Sequence, residues 1–97
     1  MITAERYHDI SCGHRVVGHE GKCRFLHGHN YRIHFIITSE YLDAVGRVLD
    51  FSVIKTLLCE WLEDNFDHKF LIWENDEMLP QLQAITAESL VVVPFNP

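Results

Sequence analysis

No stretch of this 97-residue chain approaches the ~20 consecutive apolar residues that a membrane span requires. Runs of Lys or Arg are missing too, and the formal net charge is −6. A sequence-independent grip on nucleic acid or on an anionic membrane needs clustered positive charge, so neither partner is expected. A small anionic substrate stays compatible with this balance, because a few local cations can hold it. The opening segment MITAERYHDI carries charges where a signal peptide has an unbroken apolar stretch, which points to a cytoplasmic protein. Cysteine is sparse and odd in number, at Cys12, Cys23 and Cys59 with no CxxC pair, so a disulfide framework is not expected. There is no internal repeat, low-complexity tract or linker, and residues 1–97 read as one domain.

What is present suits a packed core: 47% of residues are hydrophobic and 11% aromatic. A chain this short buries only about 65% of its unfolded surface, so assembly with further subunits would help it. Residues 2–14 alternate, with Ile2, Ala4, Ile10, Cys12 and His14 on one parity, the pattern of a half-buried strand. Residues 15–26, with Gly18 and Gly21, read as a loop. A second strand is expected over 27–38, with Tyr31, Ile33, Phe35 and Ile37 on one face. After a connection through 39–50, Asp50 or Ser52 can cap a helix. Ile54, Leu57, Leu58, Trp61 and Leu62 form its expected apolar stripe. Residues 67–88, interrupted by Pro80, read as an extended loop in which Glu74, Asp76 and Glu77 are solvated. Leu90 to Phe95 reads as a last strand. The order strand, strand, helix, strand predicts an α+β domain with a helix on an antiparallel sheet.

Seven histidines is the one unusual count. His27 and His29, two apart at the start of a strand, point to the same face and can reach one ion. A hairpin of the first two strands brings His14, at the end of the first, to the same place. Three neutral imidazoles leave a position open on a tetrahedral Zn²⁺, which distinguishes catalytic from structural zinc. Cys23 precedes His27 by four residues, flanked by Lys22 and Arg24. Neighbouring cations favour the thiolate, which can act as base or nucleophile or close the metal shell as a fourth ligand. Asp67-His68 can be a carboxylate-oriented histidine for proton transfer. Adjacent side chains do not usually face each other, so a solvated turn fits that pair as well. His8, His19 and His34, and the packing cysteines Cys12 and Cys59, are not expected at the site.

Together these residues resemble the 6-pyruvoyl-tetrahydropterin synthase family. His14-Arg15 resembles the family's Ala-His-Arg. The run Cys23-Arg24-Phe25-Leu26-His27-Gly28-His29-Asn30-Tyr31 resembles its Cys-x-x-x-His-Gly-His-Asn-Tyr. Val48-Leu49-Asp50-Phe51 is similar to Val-x-Asp-Phe, and Phe66-Asp67-His68-Lys69-Phe70-Leu71 to Leu-Asp-His-x-x-Leu. Three residues between Cys23 and His27 match the bacterial 6-carboxy-5,6,7,8-tetrahydropterin synthase branch. The resemblance implies a tunnelling fold and zinc held by His14, His27 and His29, with Cys23, Asp67 and His68 as proton-transfer residues. It also implies a homo-hexamer with active sites at subunit boundaries. The activity implied is conversion of 7,8-dihydroneopterin triphosphate to 6-carboxy-5,6,7,8-tetrahydropterin with release of acetaldehyde and triphosphate, on the route to queuosine. Pyruvoyl-tetrahydropterin synthesis, another zinc-dependent reaction such as hydrolysis, and non-catalytic zinc binding are the alternatives.

The chain departs from that pattern in three places. Ile72 stands where Asn is common, and the segment from Trp73 to Glu88 is longer than usual. Asn96-Pro97 falls where the family continues with a helix, two strands and the Glu that anchors the pterin, so the fold reads as truncated before them. The two roles left for Cys23 separate in the visible spectrum of cobalt-substituted protein. If Cys23 is a base and not a ligand, the intense sulfur-to-metal charge-transfer band of a thiolate ligand will be absent. Its presence would establish a closed shell.

Overall fold

A computed structural model describes residues 1–97. Strand β1 (Ile2–His14) and strand β2 (His27–Ser39) pair antiparallel over their whole lengths, from Ile2↔Ser39 to His14↔His27. A short 3₁₀ turn at Lys22–Arg24 lies in the loop between them. A continuous helical segment follows the next connection. It comprises α1 (Phe51–Ile54), a π-helical turn (Lys55–Cys59) and α2 (Glu60–Asn65). Strand β3 (Lys69–Trp73), helix α3 (Leu79–Thr86), a 3₁₀ turn (Ala87–Ser89) and strand β4 (Leu90–Val93) complete the chain. No helix is long and apolar enough to cross a membrane.

The α+β class and the two long strands agree with the sequence. The all-antiparallel sheet does not. Strand order is β2-β1-β3-β4, and β1–β3 and β3–β4 both pair parallel, so the sheet is mixed. The expected loop over 67–88 is the source of the difference. Phe70, Leu71 and Ile72 form a strand, and α3 provides the crossover that a parallel β3–β4 pair requires. Pro80 sits in the first turn of that helix instead of breaking structure, since the first turn has no use for its missing N–H.

Asp50 caps α1, accepting from the Ser52 main-chain N–H at 2.9 Å. The helix then buries a different stripe from the one expected. Ile54, Cys59 and Leu62 are buried, whereas Leu57 and Trp61 are 66% and 52% exposed. The π turn accounts for this: its wider i→i+5 spacing brings Cys59, five residues after Ile54, onto the inward face. Leu62 packs with Ile10 and Cys12, and Tyr31, Ile33, Phe35, Phe66 and Leu71 surround them. That cluster is the floor under the histidine end of the hairpin.

Asp76 is not solvated. It is 4% exposed and takes both arms of the Arg15 guanidinium, Nε to Oδ2 and Nη2 to Oδ1, each at 2.6 Å. Its Oδ1 also accepts from Met78 N, so one carboxylate joins the end of β1 to the turn before α3. The guanidinium holds the Asp76 carboxyl below its ordinary range, against burial, which pushes it up. Removing one partner of such a pair strands the other, so Asp76→Ala should cost roughly 3 kcal/mol in urea denaturation. A carboxyl lowered in the folded state adds stability that is complete above its unfolded value, near pH 3.9. That contribution is lost as pH falls through the folded value. The gap in stability between wild type and Asp76→Asn should therefore shrink below about pH 3.9. A gap that stays constant there would contradict the assignment.

Candidate metal centre and acid–base pair

The hairpin register builds the histidine cluster. His14 lies directly opposite His27, and Cys12 opposite His29, so strand alternation puts all four side chains on one face. The ligand atoms of His14, His27 and His29 lie within 4.8 Å of one another. Their ring centroids are 4.5, 5.1 and 4.8 Å apart. Between these pairs comes Gly13↔Gly28. Glycine is required at 13, because a Cβ there would meet the Phe70 ring at 2.6 Å and the His27 carbonyl oxygen at 3.3 Å. Gly28 is similarly tight against the Cys12 carbonyl oxygen, at 3.2 Å.

Two of the imidazoles have their tautomer set by main-chain carbonyls. His27 Nδ1 donates to Phe25 O at 2.8 Å and His14 Nδ1 to Pro97 O at 3.1 Å. With the proton on Nδ1, Nε2 of each ring carries a lone pair. Both Nε2 atoms are buried with no hydrogen-bond partner. A buried acceptor left without a donor is costly in an ordinary core. It is the expected state of a histidine that ligates a metal through Nε2 and bonds outward through Nδ1. Burial also holds the His14 imidazole below its ordinary value, opposed by the Pro97 carbonyl and reinforced by the two neighbouring histidines. That keeps it in the neutral form a metal needs. The donor set therefore fits a metal ion, with nitrogen ligands suited to zinc.

Cys23 is half-buried in the 3₁₀ turn and is not among the atoms of the cluster. Its carbonyl accepts from Val16 N at 2.7 Å, which ties the turn to the chain two residues after His14. The Arg24 guanidinium is spent on the Glu20 and Gly21 carbonyls and lies 4.5 Å over the Phe25 ring.

Asp67 and His68 do face each other. His68 Nδ1 lies 2.8 Å from Asp67 Oδ2, although the side chains belong to neighbouring residues. The left-handed backbone of His68, φ 60°, turns its side chain back over the carboxylate. Such a conformation costs roughly 1–2 kcal/mol for a residue with a Cβ and is held here by bonds to β1. Ser11 N donates to Asp67 Oδ1 at 2.8 Å, and His68 N donates to Ser11 O at 2.7 Å. The Ser11 N–H, then the His68 ring, hold the Asp67 carboxyl below the usual range. A groove of about 460 Å³ has both His29 and His68 in its lining, with the glycine pair in its floor.

The other histidines stay out of the cluster, as expected: His8 bonds Glu63 and His34 bonds Glu5, each at 2.7 Å. Cys12 and Cys59 are buried packing residues, as expected. Sequence reasoning missed the carbonyls of Phe25 and Pro97 and the carboxylate of Asp76. A carbonyl acceptor is present on every residue, so no side-chain pattern could have singled out the first two.

Residues 3–96 match the family model described as 6-pyruvoyl tetrahydropterin synthase. A Rickettsia typhi protein named 6-carboxy-5,6,7,8-tetrahydropterin synthase is 38% identical, over 100% of this chain and 71% of its own length. The protein of that name from Rickettsia felis is 37% identical with the same coverage. A crystal structure of an uncharacterized protein from Wolinella succinogenes superposes with a TM-score of 0.82. It is 24% identical, over 99% of this chain and 75% of that one, which shows a shared fold. With a family match along nearly its whole length, the chain belongs to the 6-pyruvoyl tetrahydropterin synthase family.

Proposed function

We propose that the chain is a zinc-dependent 6-carboxy-5,6,7,8-tetrahydropterin synthase acting on 7,8-dihydroneopterin triphosphate and releasing acetaldehyde and triphosphate. The observation that carries the reading is the pair of buried, unpartnered Nε2 atoms in a three-histidine cluster. Relatives named for this activity support the choice of branch. His14, His27 and His29 would hold Zn²⁺, which when bound polarises the oxygens of the substrate side chain. Cys23 would take a proton from that side chain at Sγ. Asp67 Oδ2 fixes the proton of His68 on Nδ1, leaving Nε2 of this exposed ring to exchange a proton with substrate. Asp67 can do this throughout the neutral range, where a carboxyl is ionised, and the Ser11 N–H, then the His68 ring, hold it lower still.

Assembly belongs to the same proposal: a homo-oligomer, a hexamer by family resemblance, of single-domain subunits in the cytoplasm. Only eight of 97 residues are buried. The radius of gyration is 17.5 Å, against about 12.5 Å for a compact domain of this length. The outer edge of β2 is unpaired along thirteen residues, and exposed strand edges in native proteins are usually covered. Ile36, Tyr41, Val45 and Leu57 are all more than 60% exposed.

Incubating zinc-loaded protein with dihydroneopterin triphosphate should give 6-carboxytetrahydropterin and acetaldehyde. Pyruvoyltetrahydropterin would move the assignment to the sister activity, and no turnover would overturn it. Cys23→Ala and His68→Ala should each lower kcat by about 10²–10⁴-fold while retaining bound zinc. Zinc should raise the melting temperature, a chelator should reverse the rise, and His29→Ala should abolish it.

A further inference from the structure

The two imidazoles whose Nε2 atoms are buried are both oriented by main-chain oxygens, but those oxygens are held in different ways. Phe25, the acceptor for His27, is two residues away along the chain, and local geometry places it. Pro97, the acceptor for His14, is 83 residues away. Proline has no N–H and a hydrocarbon side chain, so the ring of Pro97 offers no polar anchor.

The residue before it supplies the anchor. Asn96 Oδ1 accepts from Val17 N at 3.0 Å, and Asn96 Nδ2 donates to Val17 O at 2.9 Å. One side-chain amide thus takes both main-chain groups of Val17, as a neighbouring strand would. Because the amide is planar, the two bonds fix its orientation as well as its position. Val17 is three residues beyond His14, so the latch and the ring it serves lie on the same short stretch. The segment after β4 is joined to the end of β1 at two adjacent points, one of which is the metal-site histidine.

We propose that Asn96 is a positioning residue of the metal centre. Its paired bonds to Val17 hold the Pro97 carbonyl where that carbonyl sets the tautomer and rotation of His14. The inference rests on the metal-centre reading of the three histidines. Asn96 acts only through Pro97 O and His14 Nδ1.

The test measures zinc affinity of the full chain by competition with a chromophoric chelator, alongside long-range ¹H–¹⁵N spectra of the histidine rings. Loss of a partner that orients a ligating histidine typically weakens metal binding roughly 10–100-fold, and Asn96→Ala should fall in that range. In the zinc-loaded variant the His14 Nδ1–H signal should broaden through faster exchange with water, while that of His27 stays sharp. Asn96 is exposed, so the variant should fold, and Asn96→Ser is read the same way if the alanine protein does not. Ile72→Val, a buried change in β3, controls for general destabilisation and should keep wild-type affinity. Unchanged affinity in Asn96→Ala, equal broadening of both histidines, or an equal loss in Ile72→Val would each overturn the inference. A wild-type protein without zinc affinity would overturn the metal-centre reading itself.

Discussion

The antiparallel register of β1 on β2 is the constraint on which the rest depends. His14↔His27 and Cys12↔His29 are neighbouring pairs of the same face, separated by Gly13↔Gly28 on the other. A slip of one residue would send His14 to the opposite face from its partners and place side chains where only glycine fits. The same alternation puts Ile10 and Cys12 into the core with Leu62. The apolar packing that favours the hairpin and the convergence of the three imidazoles therefore have one origin. The cluster needs no separate device to assemble it.

Strand β1 serves as the common spine of the candidate site. Its residue 11 carries the acid–base pair through its main-chain N–H, bonded to the Asp67 carboxylate, and its C=O, bonded to His68 N, and its residue 14 carries one imidazole. Arg15 then locks the end of the strand to Asp76. Each of these attachments uses a different part of the sequence, yet all fall between Ser11 and Arg15, at the end of β1. An unfavourable left-handed conformation at His68 persists because bonds on both sides of it are anchored to that strand.

The polar satisfaction of the cluster is lopsided in an informative way. Nδ1 of His14 and of His27 each has a carbonyl partner, and Nε2 of each has none. A core that simply tolerated histidine would pair both nitrogens or expose one. Fixing one nitrogen and baring the other prepares a ring for a cation, and burial, which disfavours protonation of His14, acts in the same direction.

Sequence periodicity by itself determined the two long strands, their inward parity, the helix after Asp50 and the identity of the clustered histidines. These are local properties, because alternation and capping depend on residues a few positions apart. Motif spacing was sufficient to name the family that the matches along residues 3–96 support. Only the tertiary structure decided the parallel pairing of β3 and β4, the choice of Asp76 over Glu74 and Glu77 as the partner of Arg15, and the meeting of Asp67 with His68. It also decided which stripe the helix buries, since the π turn shifts Cys59 inward and Leu57 outward. The Pro97 carbonyl on His14 belongs to the same class. The strand pairings and the Pro97 contact join residues tens of positions apart through backbone groups that every residue shares, and so leave no pattern in side-chain identity.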